Sequence, residues 1–385
     1  MTVFSKQDHL YMQRAISLAK KGHYTTSPNP RVGCVLVKDE LVIGEGFHQK
    51  AGHGHAEVNA LLACYESKQS PKGSTAYVTL EPCSHFGQTP PCAKSLIDAG
   101  IKHVVIAMVD PNPEVSGKGI RMLEDAGITT ATGLLKADAM TLNKGFINLM
   151  TTGLPYVRCK LAASLDGKTA MANGESQWIT SPAARTNVQK LRAQCCAVIS
   201  GADSVLTDNA RMSVRYQELG EVKNHFSEAQ LRQPIRVIID SKNRLTPDLA
   251  LFEVESPIIL IRTTVEELTL WPHFVEQIEC PSIKNEVGEE KVNLTELLFL
   301  LGKRGLNEVL IESGSQLAGA FIEQELVNEL ILFQAPKLIG GQGKSLVQLV
   351  GVNELSAVKK LTINDVTMVG PDIRIIATFD TTESY

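Results

Sequence analysis

His55, Glu57, Cys83 and Cys92 are the residues of this chain whose types and spacing can do chemistry together. His55-Ala56-Glu57 heads a run with helical apolar spacing, Pro82-Cys83 follows a β-rich run, and Cys92 comes after Pro90-Pro91 where another helical stretch begins. One imidazole and two thiolates make three metal ligands. Three ligands leave the fourth tetrahedral position of zinc open to water, the arrangement of a catalytic rather than a closed structural site. Helix starts suit the thiolates, because unpaired N–H groups and the positive dipole end favour negative charge. Zinc lowers the pKa of bound water toward ~7 and so makes hydroxide available at neutral pH. Glu57, two residues past the histidine and not a ligand, can take a proton from that water and deliver it to a ring nitrogen and to departing ammonia. His-x-Glu followed by Pro-Cys and a second Cys is the pattern of zinc deaminases acting on a base-like ring. A competing reading closes a purely structural site with His85 as fourth ligand, but the order of the segments favours catalysis.

Ligands drawn from separate segments need a scaffold that brings them to one point. Apolar spacing predicts a helix over Lys6 to Lys21, then strands at Gly33 to Val37 and Leu41 to Gly46 around the turn-like Lys38-Asp39-Glu40. Ala56 to Cys64 reads as a helix, Ala76 to Leu80 as a strand, Ala93 to Ala99 as a helix ended by Gly100, and Val104 to Val109 as a strand. A last helix is expected over Ala137 to Met150, after which Thr151 to Pro155 supply breakers. The predicted boundary lies there, giving domains 1–152 and 153–385. The second part alternates again, with strands at Tyr156 to Ala162, Ala197 to Ser200, Ile235 to Ile239 and Ile258 to Ile261, a helix from Pro182, and a helix, strand and helix through Phe321. Further strands are expected near Glu329 to Phe333 and Ile373 to Phe379. Both parts are therefore of the α/β class.

At 385 residues with 43% hydrophobic content, the chain can bury more than one core. A net charge of -4, no long Lys/Arg run and 5% aromatics argue against a nucleic-acid-binding surface, which needs cations and stacking platforms. Absence of a long apolar run and Asp8-His9 near the start argue against a bilayer span or a signal peptide, so a cytoplasmic enzyme with a small-molecule substrate is expected. Eight cysteines are too sparse for a disulfide scaffold. Cys34, Cys64 and the pair Cys195-Cys196 read as core residues.

Longer motifs carry a resemblance. TTSPNPRVGCV (Thr25 to Val35), GEGFH (Gly44 to His48), His-Ala-Glu and TLEPCSHFGQTPPC (Thr79 to Cys92) resemble the deaminase half of the bifunctional riboflavin-biosynthesis deaminase/reductase family. Eight residues separate the cysteines, where cytidine and tRNA-adenosine deaminases typically keep two. The resemblance implies a cytidine-deaminase-like α/β/α sandwich in which His55, Cys83 and Cys92 bind zinc, Glu57 shuttles protons, and Asn29 and His48 contact the pyrimidine. The family usually carries Lys or Arg at the position of Gln88, where a neutral amide adds no charge-assisted attraction for a substrate phosphate.

In the second part no GxGxxG follows a strand, so physics alone stops at a ligand-binding α/β domain. Yet KLAASLDGKTA (Lys160 to Ala170), GESQWIT (Gly174 to Thr180), LRAQ (Leu191 to Gln194), DSVLTDNARMSVR (Asp203 to Arg215), IDS (Ile239 to Ser241) and ESGSQLAGA (Glu312 to Ala320) resemble the reductase half of the same family. That implies a dihydrofolate-reductase-like fold and NADPH-dependent reduction of a ribosylamino to a ribitylamino group. By position, Ser176, Arg192, Asp208, Met212, Arg215 and Glu312 are expected around the substrate. Ala162, Trp178, Ser204, Asp208, Ser241 and the run Gly314, Ser315, Gln316, Leu317, Ala318, Gly319 and Ala320 are expected around the cofactor. Arg192 and Arg215 offer planar forks suited to a phosphate, and Gly314 opens a helix whose N–H groups can meet another. Asn209-Ala210 and Ser315 depart from the family pattern. Two rivals stand beside this reading: a nucleic-acid-editing deaminase with a binding appendage, and a non-catalytic zinc-stabilised interaction protein. A homo-oligomer is expected.

Overall fold

A computed structural model describes residues 3–84, 90–265, 269–284 and 288–380. The chain forms two compact units, Met1–Gly153 and Leu154–Tyr385.

In the first unit the elements are α1 (Lys6–Lys21), β1 (Gly33–Lys38), β2 (Leu41–Phe47), α2 (Ala56–Glu66), β3 (Thr75–Val78), α3 (Cys92–Asp98), β4 (His103–Ile106), α4 (Lys118–Asp125), β5 (Thr129–Thr132), α5 (Lys136–Leu142) and α6 (Lys144–Thr152). The five strands form one sheet in the order β2-β1-β3-β4-β5. β1 runs antiparallel to β2 and β3, while β3, β4 and β5 are parallel. Asp39 and Glu40 turn the β1-β2 hairpin with positive φ at both positions, the backbone that a tight hairpin requires.

Glycines on two strands decide how closely helices approach. Gly44 and Gly46 lie two apart on β2 and so share a face; a Cβ would lie 2.4 Å from Ala60 O at the first and 2.4 Å from Ala56 O at the second. Without side chains there, α2 rests directly on the strand, which fixes where its first residues sit. Gly33 does the same for α1, where a Cβ would lie 2.0 Å from Ala15 O.

Two expectations need correction here. The helix expected over Ala137 to Met150 is broken between α5 and α6 at Asn143. The Asn143 side chain accepts from Arg31 N (2.8 Å) and donates to Arg31 O (3.0 Å), so the amide binds a distant backbone in place of solvent. α4 and β5, absent from the sequence-based assignment, follow Asp110-Pro-Asn-Pro, whose turn residues obscure the start of the helix.

The second unit contains β6 (Tyr156–Ser164), β7 (Lys168–Ala170), α7 (Pro182–Gln194), β8 (Ala197–Gly201), α8 (Ala202–Asp208), β9 (Ile235–Ile239), β10 (Ile258–Arg262), β11 (Val275–Glu279), β12 (Ser282–Lys284), β13 (Glu290–Val292), α9 (Leu294–Lys303), β14 (Glu308–Glu312), α10 (Ser315–Glu323), β15 (Glu329–Ala335), β16 (Lys344–Ser345), β17 (Leu361–Val369) and β18 (Asp372–Phe379). Its main sheet has the order β11-β10-β9-β8-β14-β6-β15-β18-β17. The run from β11 to β15 is parallel, and β18 and β17 add an antiparallel edge. Central strands read as unbroken apolar runs because both faces are covered: Val198, Ile199, Leu310 and Ile311 are fully buried. β17 was missed because Asp365 and two threonines interrupt its apolar residues.

Candidate active site

The starts of α2 and α3 and the loop after β3, which carries Cys83, meet at one point in the first unit. His55 is the N-cap residue of α2, yet its ring makes no capping hydrogen bond. Instead His55 Nδ1 lies 3.2 Å from Cys92 Sγ and 3.7 Å from Cys83 Sγ. The three donor atoms fall within 4.8 Å of one another. Tetrahedral zinc with Zn–S near ~2.3 Å keeps neighbouring ligand atoms about 3.5 to 3.8 Å apart, so this N, S, S set fits the ion. Cys92 opens α3 and its N–H donates to Cys83 Sγ at 3.2 Å, while Ala93 N donates to Cys83 O at 3.2 Å. Hydrogen bonds from Cys92 and His55 pull the Cys83 thiol well below its ordinary value, and the hydrogen bond to Cys83 pushes Cys92 up. The pairing favours the thiolate form that binds metal.

Glu57 lies in the first turn of α2 and is buried. Burial raises its carboxyl to about 7, with the Cys83 charge adding to the effect. A carboxyl poised there gains and loses protons readily near neutrality. Asn29 and His48 also converge: Asn29 Nδ2 lies 3.1 Å from His48 Nε2, and His48 Nδ1 lies 3.2 Å from Gly54 O. The carbonyl can only accept, so Nδ1 carries the proton and Nε2 accepts from Asn29. Burial lowers the His48 pKa and favours that neutral ring, which meets His55 edge-on with centroids 5.2 Å apart. Thr26 Oγ1 donates to His48 O (2.9 Å), and the Arg31–Asn143 clamp holds the other side of the Asn29 loop. Gln88 and His85 lie outside the described residues.

In the second unit four of the expected positions lie near or just past the carboxyl ends of parallel strands, where open α/β sheets bind ligands. Ala162 is near the end of β6, Glu312 ends β14, Ser204 lies in α8 just after β8, and Ser241 follows β9. Gly314 is the N-cap of α10, and its N–H donates to Ser204 Oγ at 3.2 Å. The run Gly314 to Ala320 is not one surface. Gly314, Ser315 and Gln316 are accessible, whereas Ala318 is core and a Cβ at Gly319 would lie 1.9 Å from Gln348 O. Leu317 and Ala320 pack partly against the core.

The arginines are not open forks. Arg192 Nε and Nη2 both donate to Glu312 (2.6 and 3.0 Å) and Nη1 donates to Ser213 O (2.9 Å). Burial alone raises Glu312, but Arg192 and Lys160 outweigh it and keep the carboxyl below its usual range. Lys160, which sequence reasoning left unassigned inside its motif, pairs in register with Glu312 and has its own pKa lowered by burial. Arg215 donates twice to Glu218 on an exposed surface, a pair that can open. Ser176 is half-buried, and Asp208, the last residue of α8, is exposed beside Asn209 in left-handed backbone. Met212 is buried and packed against the core. Trp178 is 60% exposed and so is not a core aromatic. Arg185, also unassigned from sequence, lies over its ring at 4.6 Å, and Lys337 Nζ donates to Trp178 O at 2.8 Å.

Residues 5–108 match the cytidine and deoxycytidylate deaminase zinc-binding region, and residues 155–375 match the RibD C-terminal domain. The riboflavin biosynthesis protein RibD of Haemophilus influenzae is 48% identical over 98% of this chain and 99% of its own. The chain belongs to the RibD family. RibD of Escherichia coli is 47% identical over 95% of this chain and 98% of its own. A solved RibD structure from Acinetobacter baumannii has a TM-score of 0.86 at 41% identity, covering 98% of this chain and 99% of that one. As a RibD family member the protein is a bifunctional deaminase and reductase of riboflavin biosynthesis, with zinc and NADPH as its cofactors. Its fold pairs a cytidine-deaminase-like unit with a dihydrofolate-reductase-like one. Full-length similarity to RibD leaves the editing-deaminase and non-catalytic readings without support. Among the described residues no helix is long and apolar enough to cross a membrane.

Proposed function

We propose that residues 1–152 deaminate 2,5-diamino-6-ribosylamino-4(3H)-pyrimidinone 5′-phosphate and that residues 153–385 reduce the resulting 5-amino-6-(5-phosphoribosylamino)uracil. A solved relative from Thermotoga maritima, 33% identical with a TM-score of 0.83, carries those two activities in its name. The observation that carries the first step is the three donor atoms within 4.8 Å beside a buried Glu57. Zinc held by His55, Cys83 and Cys92 supplies Lewis-acid activation of water. Glu57 takes one proton from the attacking water for the ring nitrogen, and a second, from the hydroxyl the water leaves on the ring carbon, for the departing amine. A carboxyl raised to about 7 suits both directions of that transfer. Asn29, with its amide nitrogen committed to His48, orients the pyrimidine.

For the second step NADPH supplies a hydride. The open N-terminal turn of α10, with Gly314, Ser315 and Gln316, faces the cofactor phosphates together with Ser204 and Ser241. Ala162 and the exposed Trp178 flank its reacting end. Glu312, kept ionised by Arg192 and Lys160, faces the substrate with Ser176, Asp208 and Arg215. In this reading Arg192 orients a carboxylate, and Arg215 is the cation that exchanges Glu218 for a phosphate.

Cytoplasmic residence suits the same chemistry, since a reducing compartment keeps Cys83 and Cys92 available as metal ligands. A homo-oligomer is supported by the exposed Leu361, Ile363, Val366 and Met368 along the edge strand β17, a surface that a second copy would cover. Incubation of the zinc-loaded full chain with the diaminopyrimidine phosphate tests the two-step assignment. Ammonia should appear without NADPH, and NADPH oxidation should begin only as deaminated product accumulates. NADPH oxidation that precedes ammonia release would reverse the assigned order.

A further inference from the structure

Glu81 stands between β3 and the ligand Cys83, and its side chain is buried, with the residue 4% exposed. Four backbone N–H groups from a segment far along the chain donate to its carboxylate. Oε2 accepts from Asp110 N (3.1 Å) and Gly117 N (3.0 Å), and Oε1 accepts from Gly119 N (2.9 Å) and Ile120 N (3.2 Å). Three of these donors belong to the start of α4. The N-cap of that helix, Gly117, has no side chain with which to cap it. Glu81 therefore caps α4 from outside its own segment, with a full negative charge at the positive end of the helix.

The contact is close as well as polar. A Cβ at Gly119 would lie 2.0 Å from Pro82 O, so α4 can reach this carboxylate only because it presents no side chain to the Pro82 backbone. Cys83 is thereby held from both directions. On its far side the N–H groups of Cys92 and Ala93 bind Cys83 Sγ and O. On its near side, Glu81 ties the chain two residues earlier to α4, and Glu81 N donates to Met108 O at 3.0 Å.

We infer that Glu81 is a positioning residue for the metal: by gathering the N–H groups of the 110–120 segment it fixes the backbone that presents Cys83 and so slows loss of zinc. The inference rests on the reading of His55, Cys83 and Cys92 as the ligands. Glu81→Gln keeps the shape but turns an NH2 group toward two of the four N–H donors, which then face a donor inside the protein. Glu81→Asp keeps the charge but falls one methylene short of the same donors.

The test is zinc transfer from the loaded full-length protein to a chromogenic chelator, followed over time. Glu81→Gln should release zinc at least ~10-fold faster than the parent, the scale of losing a group that orients a ligand. Glu81→Asp should lie between them, and it carries the test if Glu81→Gln does not fold. Leu123→Ala is the control, because Leu123 is fully buried on α4 and its truncation weakens the same helix without touching the carboxylate. If both Glu81 variants lose zinc no faster than a Leu123→Ala protein of equal melting temperature, Glu81 serves α4 alone and the inference falls. Cys83→Ser separates the two layers of the argument. Full zinc retention by that variant would overturn the ligand assignment itself, whereas its loss of zinc beside slow release from the Glu81 variants would overturn only the role of Glu81.

Discussion

The deaminase and reductase sites are built on opposite principles. In the first, three donor atoms within 4.8 Å converge from two helix starts and the loop after a strand, and hydrogen bonds hold the Cys83 thiol well below its ordinary value. In the second, the groups are spread along the ends of several strands, and the buried cation Arg192 is already paired with Glu312. A metal must find its ligands in place, since unpaired thiolates and imidazole lose affinity steeply with misplacement. A long flexible cofactor can be met by separate backbone N–H groups and small side chains, each contributing a little. The first site is thus sensitive to single residues, while the second should respond mainly through its buried charge pair.

The sharpest way to break that contrast is Glu57→Gln. Zinc content should stay at the parent level while deamination falls by at least ~100-fold, the effect of removing a positioned acid-base group. Ammonia release near the parental rate by a zinc-loaded variant would remove Glu57 from the proton path.

A smaller effect on rate, but a direct one on folding, is expected in the second unit. Arg192→Met leaves Glu312 buried without its hydrogen-bonded partner, balanced only through space by Lys160 and Arg215, and breaking a buried pair in this way costs about 3 kcal/mol. Both tryptophans, Trp178 and Trp271, belong to this unit, so their fluorescence during a urea titration of the full chain reads its stability alone. A loss under about 1 kcal/mol would mean that the pair is worth no more than a surface one, and that Lys160 and Arg215 suffice to hold the carboxylate.

The same contrast explains what the sequence revealed. His55, Glu57, Cys83 and Cys92 were legible because few residue types bind zinc, and their order along the chain carries chemical meaning on its own. The reductase positions were reached only through resemblance, since Gly314, Ser315 and Ala162 have no chemical signature beyond being small. Resemblance also gave a contiguous run from Gly314 to Ala320, which the helical turn of α10 divides between an accessible end and a buried face. What neither route supplied were partners set by long-range folding. Asn143 breaks a helix to hold Arg31, and Glu81 caps a helix whose own cap is glycine. Local propensity reads a continuous helix at the first position and leaves the second an isolated carboxylate beside a proline.

The central claim is that one chain carries two separable chemistries, only one of which depends on metal. Removing zinc from the full-length protein with a strong chelator, then assaying both steps on the same sample, tests it most directly. The account predicts that ammonia release from the diaminopyrimidine phosphate falls to background and returns on adding zinc, while NADPH oxidation with the deaminated intermediate keeps its parental rate throughout. Parallel loss of both activities in a sample whose tryptophan fluorescence is unchanged would contradict it.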